Sequence, residues 1–145
     1  MKPKSRRKFA TTKHGSVRKP GLVPSEQVEA EAFAQWLEIN RFRFTHIPNE
    51  TGSSDEAKRR AVRMKRAGTS PGFPDYLIYP PGFNIAIELK SLVGRPSKKQ
   101  LEWLEFLSGR GYACAVCHGA REAIQFVEET IGRKKKEEFN DHEVF

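Results

Sequence analysis

Two strand-forming runs joined by a very short connection place the strongest limit on how this chain can fold. Residues 75–79 and 84–90 are rich in β-branched, aromatic and other apolar side chains, and a Pro-Pro-Gly-Phe segment at 80–83 lies between them. Because so short a connection joins neighbouring antiparallel strands, the pattern predicts a β-hairpin. A turn centred on this segment pairs positions whose numbers sum to 163, and that register sets Asp75 directly opposite Glu88.

Helical and strand patterns alternate through the rest of the chain. Apolar residues at helical spacing and serine caps predict helices, whereas alternating apolar residues predict strands. The predicted helices cover 26–40, 55–67, the segment from the Ser97-to-Gln100 capping box to Gly109, and 120–131; the remaining strands cover 42–47 and 112–117. This order of elements predicts an α/β fold in which a mixed β-sheet is flanked by helices.

Length and composition indicate a single globular domain. The chain has 145 residues, of which 37% are hydrophobic and 30% charged, and this balance excludes wholesale disorder and a disulfide scaffold. No apolar stretch approaches the roughly 18–20 residues that a bilayer span requires. Charged residues stand where a secretory peptide would carry its apolar core. We therefore expect a cytoplasmic protein (in the host cytoplasm, if the protein is viral) without a membrane partner.

The positive charge is concentrated at one end of the chain. Residues 1–24 hold eight of the 26 basic residues and no acidic one, so the rest balances 18 basic against 18 acidic side chains. We predict a flexible basic arm over 1–24, a domain over 25–132 and a charged tail over 133–145. The arm could be a solubilising tail, or it could bind nucleic-acid phosphates.

The predicted hairpin carries residues suited to phosphodiester chemistry. Opposed residues on paired strands have Cβ atoms about 4.5–5.5 Å apart, so Asp75 and Glu88 could bind one cation, and Lys90 shares a face with Glu88. Two carboxylates with water and phosphate oxygens suit Mg²⁺ or Mn²⁺. A neighbouring lysine could hold the attacking water. Taken as spacing alone, Glu-x-Lys is a common pattern, and a surface salt bridge between Glu88 and Lys90 would explain it.

Several motifs in order carry a family resemblance. Pro74-Asp75 followed by Glu88-Leu89-Lys90 resembles the Pro-Asp…(Asp/Glu)-x-Lys nuclease superfamily. Gly-Phe-Pro-Asp-Tyr-Leu-Ile at 72–78, Ile-Glu-Leu-Lys-Ser at 87–91 and Gly-Arg-Pro-Ser-Lys-Lys-Gln at 94–100 look like its VRR-NUC branch, especially the small single-domain phage-type members. Ile-Pro-Asn-Glu at 47–50 and Gly-Tyr at 111–112 agree with the same pattern. The resemblance covers roughly residues 25–131.

The resemblance implies roles for individual residues on a restriction-endonuclease-like fold. Asp75 and Glu88 match the metal-binding carboxylates, the Leu89 carbonyl matches a further metal ligand, and Lys90 matches the catalytic lysine. Gln100 matches a glutamine of the site, although its position in a capping box gives it an independent structural reason.

An acidic residue of the first helix is also implied. Glu26 matches the family position that reaches the metal directly or through water. Glu29, one turn further along, is a rival for that role or a solvated helix residue.

The implied function is a Mg²⁺- or Mn²⁺-dependent DNA endonuclease without a small-molecule cofactor. The small members of the family resemble homodimeric nucleases that act on branched DNA or four-way (Holliday) junctions. A non-catalytic DNA-binding protein and a sequence-specific restriction-type nuclease are the alternatives. Phosphate contacts are predicted on the second helix, whose basic residues could otherwise form a solvated face: Lys58, Arg59, Arg60, Arg63, Lys65 and Arg66.

Other residues with possible chemistry are interpreted as packing residues. Cys114 and Cys117 lie three apart in a predicted strand, so they point to opposite faces and cannot chelate one ion. Trp36 and Trp103 occur at helical spacing with other apolar residues, which favours packing over base stacking. Phe73 could contact DNA or cover the end of the sheet.

Overall fold

The computed structural model describes residues 23–48 and 52–141, with side chains described as far as residue 132. All eight basic residues of the predicted arm lie outside this range, as do Asn49 and Glu50. The predicted tail is described only by its backbone, up to Asp141.

The predicted order of helices and strands is confirmed. The chain forms α1 (Glu26–Ile39), β1 (Phe44–His46), α2 (Asp55–Arg66), β2 (Tyr76–Ile78), β3 (Ile85–Lys90), α3 (Lys98–Ser108), β4 (Ala113–His118) and α4 (Ala120–Asp141). Serine caps begin three of the helices: Ser25, Ser54 and Ser97 each accept a hydrogen bond from a backbone N–H of the first turn.

The four strands form one mixed sheet in the order β1-β2-β3-β4. β1 and β2 are antiparallel, as are β2 and β3, whereas β4 runs parallel to β3. In the hairpin Tyr76 pairs with Ile87 and Ile78 with Ile85, which is the predicted register. The Phe83 N–H donates to the Pro80 carbonyl at 2.9 Å and closes the turn. The fold class is therefore as predicted, a mixed sheet flanked by helices.

The sheet is covered on both faces. On one face α1 and α4 bury the larger core, which includes Phe33, Leu37 and Val127. On the other face Leu104 and Leu107 of α3 pack against Ala86 and Val116. Because β3 is covered from both sides, its residues are buried from Ile85 to Leu89, and any charge in that stretch has left water.

The element bounds differ from the predictions mainly at the ends. β1 has three residues instead of the six predicted over 42–47, because only Phe44–His46 pairs with β2. The helix predicted to end at residue 131 continues to Asp141. Residues 133–138 are all arginine, lysine or glutamate, which favour the helix, and neither glycine nor proline follows before residue 141.

The two cysteines lie on opposite faces of β4, as predicted. Cys117 belongs to the core beneath α1 and α4, whereas Cys114 packs in the layer beneath α3. Both thiols are free, and burial raises the pKa of each to about 12, which disfavours the thiolate that metal binding requires.

Among the described residues, none of the helices combines the length and the apolar character needed to traverse a bilayer.

Candidate active site

The hairpin brings two carboxyl groups together at its open end. Asp75 directly precedes β2 and is 7% exposed, and Glu88 lies in β3 and is 1% exposed. One step beyond the observed pairs, the register sets these two residues opposite each other. Oδ2 of Asp75 accepts a hydrogen bond of 2.9 Å from the Leu89 N–H, so the main chain of β3 holds this carboxylate in place.

The burial of Glu88 changes its acidity. Removal from water, followed by the nearby Asp75 carboxylate, raises the pKa of Glu88 to about 8, against the opposing effect of Lys90. Its Oε2 atom is buried and has no hydrogen-bond partner. A buried carboxylate oxygen without a donor costs free energy, and a proton or a cation would relieve that cost.

The predicted lysine is beside the carboxylates. Nζ of Lys90 lies 3.3 Å from Oε1 of Glu88, and the lysine side chain is 17% exposed. The alternation of side chains along β3 puts both residues on one face, as the two-residue spacing predicted. The pair is a largely buried arrangement at the end of a strand, so the alternative of an ordinary surface salt bridge does not describe it.

Gln100 forms the predicted capping box and also contacts a carboxyl group of the candidate site. Its Oε1 accepts from the Ser97 N–H at 2.7 Å, and its backbone N–H donates to the Ser97 hydroxyl oxygen at 3.2 Å, which completes the capping box. Its Nε2 donates to Oε1 of Glu88 at 2.6 Å. The start of α3 is thus fixed to the carboxylate by the same side chain that begins the helix.

Asp75 borders a cavity of about 400 Å³, which we call the acidic cleft because Glu26 also lines it. The residues that line it include Glu26, His46, Asp75, Tyr76 and Leu89. The Tyr76 hydroxyl donates to the Ala30 carbonyl at 3.1 Å and ties α1 to this edge of the sheet. Glu26, in the first turn of α1, therefore faces the same space as Asp75.

Glu29 lies elsewhere and binds a helix terminus. Its Oε2 accepts from the Ala120 N–H at 2.7 Å, at the start of α4. A carboxylate at a helix N-terminus satisfies a free N–H group and favours the helix dipole. Of the two candidate glutamates, Glu26 and Glu29, only Glu26 lines the acidic cleft.

The oxygen atoms at this site fit a hard divalent cation that takes only a few of its ligands from the protein. Among the described residues, no three His, Cys, Asp or Glu side chains gather where they could hold one ion. Asp75 and Glu88 are the two adjacent carboxylates, and Leu89 is among the residues that line the cleft. Mg²⁺ is commonly held by one or two carboxylates, with water and substrate phosphate completing its shell. The buried Oε2 of Glu88 is the atom that such an ion would satisfy.

Lys90 itself lines a second cavity, which has the opposite charge. This basic groove, of about 650 Å³, is lined by four basic side chains: Lys65, Lys90, Arg95 and Lys99. No carboxylate is among the described residues that line it. Sequence reasoning missed Arg95 and Lys99 as site residues, although both stand inside the 94–100 motif that carried the family resemblance.

The basic residues of α2 are only partly brought to this groove. All six are exposed, and no residue of α2 is buried. Lys65 lines the groove, but the groove lining does not include the other five. Arg63 instead lies 3.7 Å from Glu56 in an exposed ion pair within the helix.

Comparison with known proteins identifies the family of this arrangement. The model of the VRR-NUC domain matches residues 24–121. The chain belongs to the VRR-NUC domain family. A solved structure described as a VRR_NUC domain protein is similar to it, with a TM-score of 0.60 and 21% sequence identity over 73% of this chain and 87% of that chain. That similarity shows a shared fold. No curated protein matches the chain.

The VRR-NUC match contains every predicted site residue, from Glu26 to Gln100. It ends at the first residues of α4, so most of that helix lies beyond the matched region. Membership indicates a DNA nuclease of the Pro-Asp…(Asp/Glu)-x-Lys type, a kind of nuclease that typically uses divalent metal ions.

Proposed function

We propose that this VRR-NUC protein is a Mg²⁺- or Mn²⁺-dependent DNA endonuclease that cuts branched or four-way junction DNA as a homodimer. One observation carries the catalytic part of the proposal. The buried Glu88 has an unpartnered Oε2 beside the Asp75 carboxylate, with the Lys90 ammonium 3.3 Å from its other oxygen.

Each residue of the site has a stated part in the proposed reaction. Asp75, Glu88 and the Leu89 carbonyl would hold the divalent ion, with Glu26 reaching it through water across the acidic cleft. When bound, such an ion polarises the phosphate and lowers the pKa of water. Lys90 holds the attacking water and offsets the negative charge that develops on the phosphate oxygens. Water then forms the new P–O bond as the bond to the departing sugar oxygen breaks.

The surrounding residues support this chemistry without reacting. Gln100 fixes the orientation of Glu88 through its 2.6 Å hydrogen bond. The basic groove holds the DNA backbone through Lys65, Arg95 and Lys99. The exposed face of α2 extends these phosphate contacts through its remaining basic residues: Lys58, Arg59, Arg60, Arg63 and Arg66.

Junction selectivity and dimerisation follow from the likeness to the small members of the family. A symmetric four-way junction needs two incisions, which two identical sites can supply. Sedimentation of the protein with and without a four-way junction tests this part. We expect a dimer at micromolar concentration, and a monomer under both conditions would contradict it.

Direct mapping of cleavage products tests the activity and the substrate class together. The full chain is incubated with end-labelled linear, flap, fork and four-way DNA in Mg²⁺, Mn²⁺ or chelator. We expect incisions on branched substrates with either metal and none in chelator. Absence of cutting with both metals would remove the enzymatic proposal and leave a DNA-binding protein. Cutting of linear DNA at one sequence would favour a restriction-type enzyme instead.

Calorimetric titration of Mn²⁺ separates the enzyme from a non-catalytic binding protein. We expect a site that depends on the carboxylates, because a binding protein gains nothing from burying two of them side by side. Heats that are identical for the wild type and for Asp75→Ala would count against a metal site here.

A further inference from the structure

A third cavity continues the basic groove away from the carboxylates. This aromatic pocket, of about 450 Å³, is lined by Ser70, Pro71, Lys99, Glu102, Trp103 and Phe106. Three of these residues, Ser70, Pro71 and Lys99, also line the basic groove. The two cavities therefore adjoin, and Lys99 stands where one passes into the other.

The walls of the aromatic pocket suit a flat ring. The Trp103 and Phe106 rings lie 5.8 Å apart between centroids and meet at 87°, so a planar group can stack on one ring and turn its edge to the other. Phe106 is 51% exposed. The Arg110 guanidinium lies 5.0 Å from the centre of the Phe106 ring and adds positive charge at this end. Glu102 is the one carboxylate of the lining, and its Oε1 is 3.9 Å from the Lys98 ammonium.

The pocket is linked to the catalytic carboxylates through one short loop. Phe73, two residues before Asp75, packs its ring against Trp103 with 5.0 Å between centroids. The neighbouring Gly72 has a φ of +86°, and a Cβ there would stand 2.7 Å from the Lys99 backbone carbon. Because the loop is pressed onto the first turn of α3, the distance between the pocket and Asp75 is fixed.

We propose that the aromatic pocket binds one unpaired base of the DNA strand whose phosphates lie in the basic groove. The proposal rests on the proposed function, since it takes DNA to be the substrate. Proteins that bind single strands combine a cationic groove along the backbone with aromatic rings on which bases stack. A base inside a duplex cannot enter the pocket, because its faces are covered by its neighbours. The pocket would thus select strands with an unpaired nucleotide near the cleaved phosphate, as at flaps and branch points.

Charge supports a nucleotide rather than a second copy of this chain as the occupant. The approach to the pocket is lined by the cations Lys65, Arg95 and Lys99, with no carboxylate among the described lining residues of the basic groove. A polyanion is attracted along such a path, whereas an identical basic face is repelled.

Fluorescence of 2-aminopurine tests the proposal without requiring cleavage. Single-stranded oligonucleotides carrying this base at successive positions are titrated with the full chain in chelator, and the matched duplex is titrated in parallel. We expect quenching at one position of the single strand, because the base stacks on an aromatic ring. Phe106→Ala should abolish the quenching and weaken single-strand binding roughly tenfold, with duplex binding unchanged. Phe106→Tyr should restore both signals.

Two further variants give the controls. Ile39→Ala truncates a 75% exposed apolar side chain on α1 and should change neither signal. Lys99→Ala should weaken single-strand and duplex binding alike, because it removes a phosphate contact that both share.

Three results would overturn the proposal. The first is that Phe106→Ala loses single-strand and duplex binding equally. The second is that Phe106→Ala still quenches 2-aminopurine. The third is that Phe106→Ala changes the sedimentation of the protein, which would show that the surface is a contact between two copies. Failure of the nuclease proposal is distinguishable, since the wild type would then quench 2-aminopurine in chelator and yet cut no DNA with metal.

Discussion

The acidic cleft and the basic groove are lined by neighbouring residues of β3, Leu89 and Lys90, and are built in different ways. Asp75 lines the acidic cleft, and both Asp75 and the neighbouring Glu88 are buried and held by hydrogen bonds, from the Leu89 N–H and from Gln100 respectively. In the basic groove, Lys65 and Lys99 are exposed ends of long side chains. The difference fits the proposed roles, because the proposed chemistry would require fixed geometry, whereas the proposed phosphate binding would require only charge at an approximate position.

Lys90 connects the basic groove to the buried carboxylates. It lines the basic groove, and its ammonium is 3.3 Å from Glu88. A phosphate in the groove would therefore stand next to the carboxylates. If the two regions have these separate roles, substitutions in the acidic cleft should change the rate of cleavage. Substitutions in the basic groove should change the affinity for DNA and the dependence of that affinity on salt.

The largest effect is expected from removing a carboxylate of the cleft. Asp75→Ala should slow cleavage by roughly a thousandfold or more, because it deletes a proposed ligand of the ion that supplies several kcal/mol of charge stabilisation. Binding of branched DNA in chelator should be unchanged, since no phosphate contact is lost. Single-turnover cleavage and fluorescence anisotropy measure the two quantities. Glu31→Ala, at an exposed carboxylate of α1, is the matched control and should leave both unaltered. If Asp75→Ala lost cleavage rate and DNA affinity together, the proposed separation of roles between the two regions would be wrong.

An intermediate effect is expected on stability as pH changes. Glu88 has a folded-state pKa of about 8 against an ordinary value of 4.5, so the metal-free folded protein binds this proton more tightly than the unfolded chain does. The contribution of this proton to the free energy of unfolding is fully present below pH 4.5 and is lost as the pH rises toward 8. Glu88→Gln removes this loss, so its Tm should exceed that of the wild type by several degrees at pH 8 and by less at pH 5.

Thermal melting in chelator from pH 5 to 8 checks this sign. Addition of Mn²⁺ at pH 8 should raise the Tm of the wild type and leave Glu88→Gln nearly unchanged, because the variant lacks the proposed ligand. Two Tm curves that stay parallel over the whole pH range would show that Glu88 is not the buried group responsible.

The smallest effect is expected in the basic groove. Lys65→Ala should weaken binding of branched DNA a few-fold and lower the slope of log affinity against log salt concentration by about one, because one phosphate contact is lost. The cleavage rate at saturating DNA should be unchanged. Anisotropy titrations at several salt concentrations measure the slope, with Arg121→Ala on α4 as the control of equal charge. A lower saturated rate in Lys65→Ala would mean that the groove also orients the reacting phosphate.

Local signals in the sequence were sufficient for the hairpin and the helix starts. The Pro-Pro-Gly-Phe turn determines which residues pair, so the register followed from residues 80–83 alone. Ser97 and Gln100 form the capping box that their spacing predicted, since both partners lie within one helical turn. The metal, catalytic and phosphate roles of the site residues stay predictions.

Contacts between distant segments could not be read from such signals. Nothing near Gln100 in sequence indicates that its amide reaches Glu88 while its carbonyl caps the helix. Glu29 binds the start of α4, 91 residues away, which no periodicity could reveal. The basic groove was missed for the same reason, because Lys65 and Lys99 meet only after α2 and α3 are positioned by the fold.

The hydrogen bond from the Leu89 amide to Asp75 has a consequence for how this site can vary. The donor is a peptide group, which every amino acid except proline carries, so the aspartate keeps its anchor whatever apolar side chain occupies position 89. The buried apolar side chain at this position of β3 can therefore be exchanged for another without displacing the carboxylate. Proline at position 89 is the one substitution that would remove this hydrogen bond, because it has no backbone N–H.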